Sequence, residues 1–264
     1  MKARHHHMAA AGVGIAVLLP FVSLVMWSLS SRWFYPQLWP RQWGLRAWQY
    51  VFSTAGPQIL AALGQSVLVA ATTAAISVAI GIPAGRALGL YDFRGKDLVS
   101  VVLILPVIVP PLCVTMGLHL WFIIMGLAGS FFGVVLVHLT FCLPYAVFVM
   151  WGIFSNYNPS YEEQARSLGA SAWKVLVRVI LPLTFPGIMV AGLFSFLLSW
   201  SQYLSTLIIG GGKVTTLPIL LFALMGSGDR PVAAAVSIVF VAPALLALLF
   251  SARYLGGKGI AGIR

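Results

Sequence analysis

Apolar side chains run along this chain in long unbroken stretches, not in the strict alternation of a half-buried strand. Six stretches, roughly 9–30, 59–85, 98–125, 127–152, 184–209 and 231–254, reach the length of about 20 mostly apolar residues that a transmembrane helix needs. The pattern predicts an all-α, polytopic membrane protein with six transmembrane helices in one transmembrane domain, 1–264. In the third stretch Pro106, Pro110 and Pro111 remove backbone donors, which predicts a kink or a break there. Short connections join spans two and three (Arg86 to Asp97) and spans three and four (Gly126 to Gly129). The connection between spans four and five, 156–182, is longer and more polar.

Composition closes off the alternatives. With 60% hydrophobic and 8% charged residues, a water-soluble fold would leave large apolar patches uncovered. A formal charge of +11 fits membrane orientation here better than nucleic-acid binding. With both termini inside, Lys2, Arg4, Arg86, Arg94, Lys96, Arg166, Lys174, Arg178, Arg253, Lys258 and Arg264 lie inside. Arg32, Arg41, Arg46, Lys213 and Arg230 then lie outside, eleven against five, which predicts N-in/C-in. The apolar run after His5, His6 and His7 is long for a signal peptide and has no small-residue cleavage site, so it reads as a retained first span. The outer strip Trp33, Phe34, Tyr35, Trp39, Trp43 and Trp48 suits the headgroup level. Cys113 and Cys142 sit in apolar runs without a C-x-x-C spacing, and no metal site is expected.

In the 156–182 connection, Asn158-Pro159-Ser160-Tyr161-Glu162-Glu163 reads as a helix start, with Ser160 as cap and Glu163 completing a capping box. Leu168-Gly169 reads as its stop. A second start follows at Ser171, and Leu181-Pro182 reads as the end of that helix. Two short helices meeting at a glycine can lie on the bilayer through Lys174 and Arg178, or protrude into a groove of a partner protein.

These residues carry a family resemblance. Glu163-Gln164-Ala165, three residues, Gly169, nine residues, Val179-Ile180-Leu181-Pro182 resembles the E-A-A-x3-G-x9-I-x-L-P motif of permease subunits of binding-protein-dependent ABC importers. Gln164 and Val179 depart from the motif. Leu105-Pro106 with Val109-Pro110-Pro111 is similar to that family's third-span proline cluster, and Ser199-Trp200 to Leu217-Pro218 looks most like its polyamine, iron and thiamine branch. The resemblance implies a MetI-like fold in a bacterial inner membrane and a chain that contacts a cytoplasmic ATPase through Glu163, Ala165, Gly169, Ser171, Leu181 and Pro182. It also implies a second permease subunit, two ATP-binding subunits, an external solute-binding protein, and a solute such as a polyamine or a similar small polar molecule.

The chain lacks an engine of its own. Gly95-Lys96, Gly212-Lys213 and Gly257-Lys258 have Leu90, Leu207 and Ala252 where a phosphate-binding loop needs its first glycine, and Asp97, Val214 and Gly259 where it needs Ser or Thr. No catalytic residue and no bound cofactor are expected, and ATP and magnesium fall to the partner ATPase. Every acid lies in a loop (Asp92, Asp97, Glu162, Glu163, Asp229), so ion coupling lacks its usual residues. His119 and His138 remain in the spans; a buried histidine satisfied by its neighbours is the simpler reading. Span five places Ser195, Ser199, Gln202 and Thr206 on one face, with Trp200 and Tyr203 beside it. That face is either the wall of a translocation pathway toward a second subunit or a set of hydrogen bonds between helices. The competing function is a stand-alone channel or ion-coupled carrier. Adjacent genes for an ATPase and an exported binding protein would discriminate the two.

Overall fold

Long helices account for most of the chain because apolar runs in lipid must satisfy their backbone groups internally. The structure, a computed structural model, describes Gly12, Ala16, residues 18–33 and residues 36–255. The start of the first expected span, the His5–His7 tract, Phe34 and Tyr35 lie outside the described residues. In order, the elements are α1 (Leu18–Ser28), β1 (Ser30–Arg32), β2 (Gln42–Trp43), α2 (Arg46–Phe52), α3 (Gly56–Leu90), α4 (Lys96–Ile108), α5 (Pro111–Ile124) and α6 (Phe131–Ser155). After these come α7 (Ser160–Ser167), α8 (Ala172–Val175), a π turn (Leu176–Ile180), α9 (Leu181–Ser201), α10 (Leu204–Gly210), α11 (Leu217–Gly226) and α12 (Arg230–Leu255).

Among the described residues, four helical rods are long and apolar enough to cross a membrane: Gly56–Leu90, Phe131–Ser155, Ala172–Ser201 and Arg230–Ala252. The third expected span, 98–125, is not one rod. Helices α4 and α5 are bent by 103° to each other. The cause is local: Val109 and Pro110 each precede a proline and take extended backbone, with ψ of 136° and 128°. Pro111 then opens α5 at a position where its missing N–H costs nothing. The fifth span also differs from 184–209. Leu181-Pro182 does not end the second loop helix; the π turn passes the chain directly from α8 into α9, so the rod begins at Ala172. It stops at Ser201, and the break at Gln202-Tyr203 precedes the short helix α10. The ten-residue helix α11 has no counterpart among the expected elements.

The described chain forms two compact units. One comprises the chain up to Gly64 with Leu217–Pro243. Here β1 pairs antiparallel with β2, Trp27 stacks on Trp33 at 4.4 Å, and Arg46 holds Asp229 through Nη1 and Nη2 at 2.9 and 2.7 Å. Trp39 and Trp43 are exposed. The other unit comprises Gln65–Thr216 with the chain from Ala244 onward. In it α6 packs most extensively on α9, and α10 fits against α5 and α6. Glycines make room for the approach of α3 to α6: a Cβ at Gly85 would stand 2.5 Å from the Met150 Cβ, and one at Gly89 2.7 Å from the Phe154 Cβ. Val69, Phe122, Val134, Val137, Phe141 and Ile209 form one core cluster, and Ala146, Met150, Phe154, Val175, Ile180 and Ala191 form a second.

Candidate functional site

The motif-bearing connection is built on the second of these clusters. After α6 the chain turns at Asn156, and the Asn158 side chain accepts the Ser160 N–H at 3.0 Å. Asn158 therefore caps the entry to α7, in place of the expected Ser160, which lies within the helix and makes no cap hydrogen bond. Glu162 and Glu163 occupy the first turn of α7, where the helix dipole favours acids. Their side chains diverge. Glu163 is exposed, whereas Glu162 is only 4% exposed and turns inward.

Helix α7 ends in a Schellman turn. Gly169 N–H donates to the Arg166 carbonyl at 2.9 Å and Ala170 N–H to the Ala165 carbonyl at 3.0 Å, with Gly169 at φ +83°. A Cβ at Gly169 would meet nothing within 4 Å, so the demand for glycine there comes from the backbone and not from crowding. Ala165 is half-buried and packs against the second cluster. Ser171 caps α8 as expected, its Oγ accepting the Lys174 N–H at 3.4 Å. Leu181 is half-buried, while Pro182 is exposed in the first turn of α9. The element presents two large apolar side chains, Leu168 and Trp173, 89% and 71% exposed, beside exposed Glu163, Arg166 and Lys174.

The anchor of this element is a pair of residues that the sequence did not single out. Arg86, near the end of α3, donates from Nη1 to Glu162 Oε1 at 2.6 Å and from Nη2 to Oε2 at 2.8 Å. Arg166 stands 3.9 Å from Oε2, and the Arg86 guanidinium lies 5.9 Å from the centre of the Phe154 ring. Hydrogen bonding to Arg86 holds the Glu162 carboxyl below the usual carboxylate range, against the opposing effect of burial. Burial first, and then the charge of Glu162, push the Tyr157 hydroxyl up to about 12. The available signal was an arginine one position after Gly85 in an otherwise uncharged helix; its partner lies 76 residues away.

The polar face of span five turns inward. Ser195, Ser199, Trp200 and Thr206 are buried, while Gln202 and Tyr203 are half-buried at the break between α9 and α10. Buried His138 of α6 joins the end of α9 to α10, with Nδ1 2.8 Å from Ser199 Oγ and Nε2 2.9 Å from Thr206 Oγ1. Thr206 gives its proton to the Gln202 carbonyl at 3.0 Å, so Nε2–H donates to Thr206 and Nδ1 accepts from Ser199. Ser205 Oγ donates to Gln202 Oε1 at 2.9 Å. The histidine is satisfied, as the sequence reading held. Among the described residues, no group of three His, Cys, Asp or Glu side chains is placed to hold a metal ion.

Comparison with known proteins settles the class. The profile of the family described as "Binding-protein-dependent transport system inner membrane component" matches residues 77–258, well over half of the chain. The chain belongs to that family. It is an integral membrane permease subunit of an ABC importer, a transport component and not a catalyst. It is similar to the spermidine/putrescine permease PotC of Haemophilus influenzae, with 29% identity over 186 residues, 70% of this chain and 72% of that one. It is similar also to the sulfate permease CysT of Escherichia coli, with 26% identity covering 93% of this chain and 89% of that one. A crystal structure of a bacterial ABC transporter that imports alginate has the same fold, with a TM-score of 0.72 at 16% identity over 96% of both chains. The matched residues of the permease family span Arg86, the α7–α8 element and the α9–α10 polar face.

Proposed function

We propose that this permease lies N-in/C-in in a bacterial inner membrane, pairs with a second permease subunit, and takes its motion from two cytoplasmic ATP-binding subunits. The α7–Gly169–α8 element is the docking piece. The observation that carries this reading is its form: an exposed apolar tip, Leu168 and Trp173, on a turn whose base is fixed by Glu162 and Ala165. Glu163, Gly169 and Ser171 give the tip its charge, its turn and its second helix start, and Leu181 and Pro182 lead from it into α9. An external solute-binding protein delivers the solute, an arrangement supported by the alginate transporter solved with its ligand-bound periplasmic protein. The pathway runs beside the α9–α10 break, where Gln202 and Tyr203 retain surface. Ser195, Ser199, Trp200 and Thr206 form the packed wall behind them. The solute is of the polyamine class, a reading supported by the PotC relative and by the putrescine permease PotI of Escherichia coli, 28% identical over 180 residues.

The test is to coexpress the chain with its gene neighbours, reconstitute the product in liposomes and measure ATP hydrolysis with the binding protein and spermidine, putrescine or sulfate. Copurification of an ATPase and stimulation by a polyamine are expected. Stimulation by sulfate alone overturns the solute. Ion conduction by a chain that purifies without an ATPase overturns the mechanism. Gly169→Asp forces a side chain onto a positive-φ backbone beside the tip, and its expected outcome is normal membrane insertion with weakened ATPase copurification.

A further inference from the structure

Helix α7 is joined to α6 by the short turn Asn156–Pro159 and to α8 by the Gly169 turn. Chain connectivity alone would let a push on the tip be absorbed at these two turns. What spans the gap is the Arg86–Glu162 pair. Both carboxylate oxygens are taken by two nitrogens of one planar guanidinium, which fixes orientation as well as distance. Arg86 is itself braced: Phe154 lies beneath its guanidinium, and the glycines at 81, 85 and 89 hold its helix in backbone contact with α6. An apolar contact can slide, whereas a buried two-point ion pair resists both rotation and separation.

We infer that Arg86 is a positioning residue for coupling: through Glu162 it makes α7 move as one body with α3, so displacement of the tip reaches the membrane-spanning rods without being lost in the loop. This rests on the proposal that the α7–Gly169–α8 element docks the ATPase.

The experiment uses the full complex in proteoliposomes, measuring ATPase copurification and the ratio of solute transported to ATP hydrolysed. For Arg86→Gln and Glu162→Gln the ATPase is expected to copurify as with the wild-type chain while the ratio falls at least tenfold. The double exchange Arg86→Glu with Glu162→Arg is expected to restore part of it. Arg86→Lys keeps the charge and loses the fork, and it serves as the readout should the Gln variants fail to assemble; a ratio between those of wild type and Gln variants, with normal assembly, is expected. A wild-type ratio in Arg86→Lys and in any assembling Gln variant overturns the inference alone. Loss of ATPase in proportion to lost transport, at an unchanged ratio, also overturns it, because the pair would then only shape the docking surface. A wild-type chain that retains no ATPase overturns the docking proposal and this inference with it.

Discussion

Two arginine–carboxylate pairs in this permease have nearly the same bond geometry and different surroundings. Arg46 and Asp229 meet at 2.9 and 2.7 Å, Arg86 and Glu162 at 2.6 and 2.8 Å. The first pair leaves 51% and 35% of its side chains exposed, the second 22% and 5%. Water competes for the first pair and salt screens it, so its net worth is small. The second is less open to water, mainly on the Glu162 side, and removal of one partner strands a charge that the protein has partly desolvated. Distance alone does not rank such interactions; the cost of the broken state does. The surface pair ties together two segments of its unit 183 positions apart, and the buried pair, with Ala165 packed on the second cluster, fixes an element joined to its neighbours by two short turns.

The comparison is broken most severely from beneath. Gly85→Val places carbon where the Met150 backbone already lies within 2.7 Å, so α3 must leave α6 and carry Arg86 with it. A loss of about 3 kcal/mol or more is expected, read as loss of folded permease in detergent by thermal melting. Next in size is Glu162→Gln, expected to cost about 2 kcal/mol after allowance for the partial exposure of Arg86.

The pH dependence of that variant follows from the lowered Glu162 carboxyl. The ionised pair contributes in full above the usual carboxylate value, and the contribution is lost as pH falls through the lower folded value. The melting gap between wild type and Glu162→Gln should therefore stay constant from about pH 8 to about pH 5 and close only at lower pH. A gap that closes on raising the pH toward 8 would contradict the ion pair. The smallest effect belongs to Arg46→Gln, about 0.5 kcal/mol, vanishing in about 1 M salt. A loss as large as that of Glu162→Gln, insensitive to salt, would erase the distinction between the two pairs.

Much of the fold was legible in the chain. Lengths of apolar runs marked the rods, and the prolines near 110 marked a break, because backbone chemistry acts over a few residues. Gly169 and Ser171 were legible for the same reason: a positive-φ turn and a side-chain cap are local bargains. The break at Gln202-Tyr203 carries neither glycine nor proline. It is held from outside by His138, which bridges Ser199 and Thr206 from another helix. The choice between Glu162 and Glu163 was equally invisible, since adjacent acids in one helical turn have nearly the same local preferences. What separates them is which one faces Arg86.

By itself the sequence determined that this is a helical membrane protein, that it breaks near Pro110 and turns at Gly169, and which family motif its longest connection carries. Those properties depend on the transfer of side chains into lipid and on backbone preferences, both written residue by residue. Only the tertiary structure decided that α8 and α9 form one rod through a π turn, that Ser199 and Thr206 face His138, and that Glu162 is the buried acid. The last two outcomes depend on side chains between 61 and 76 positions apart, and their pairing is fixed by packing, which no local preference encodes.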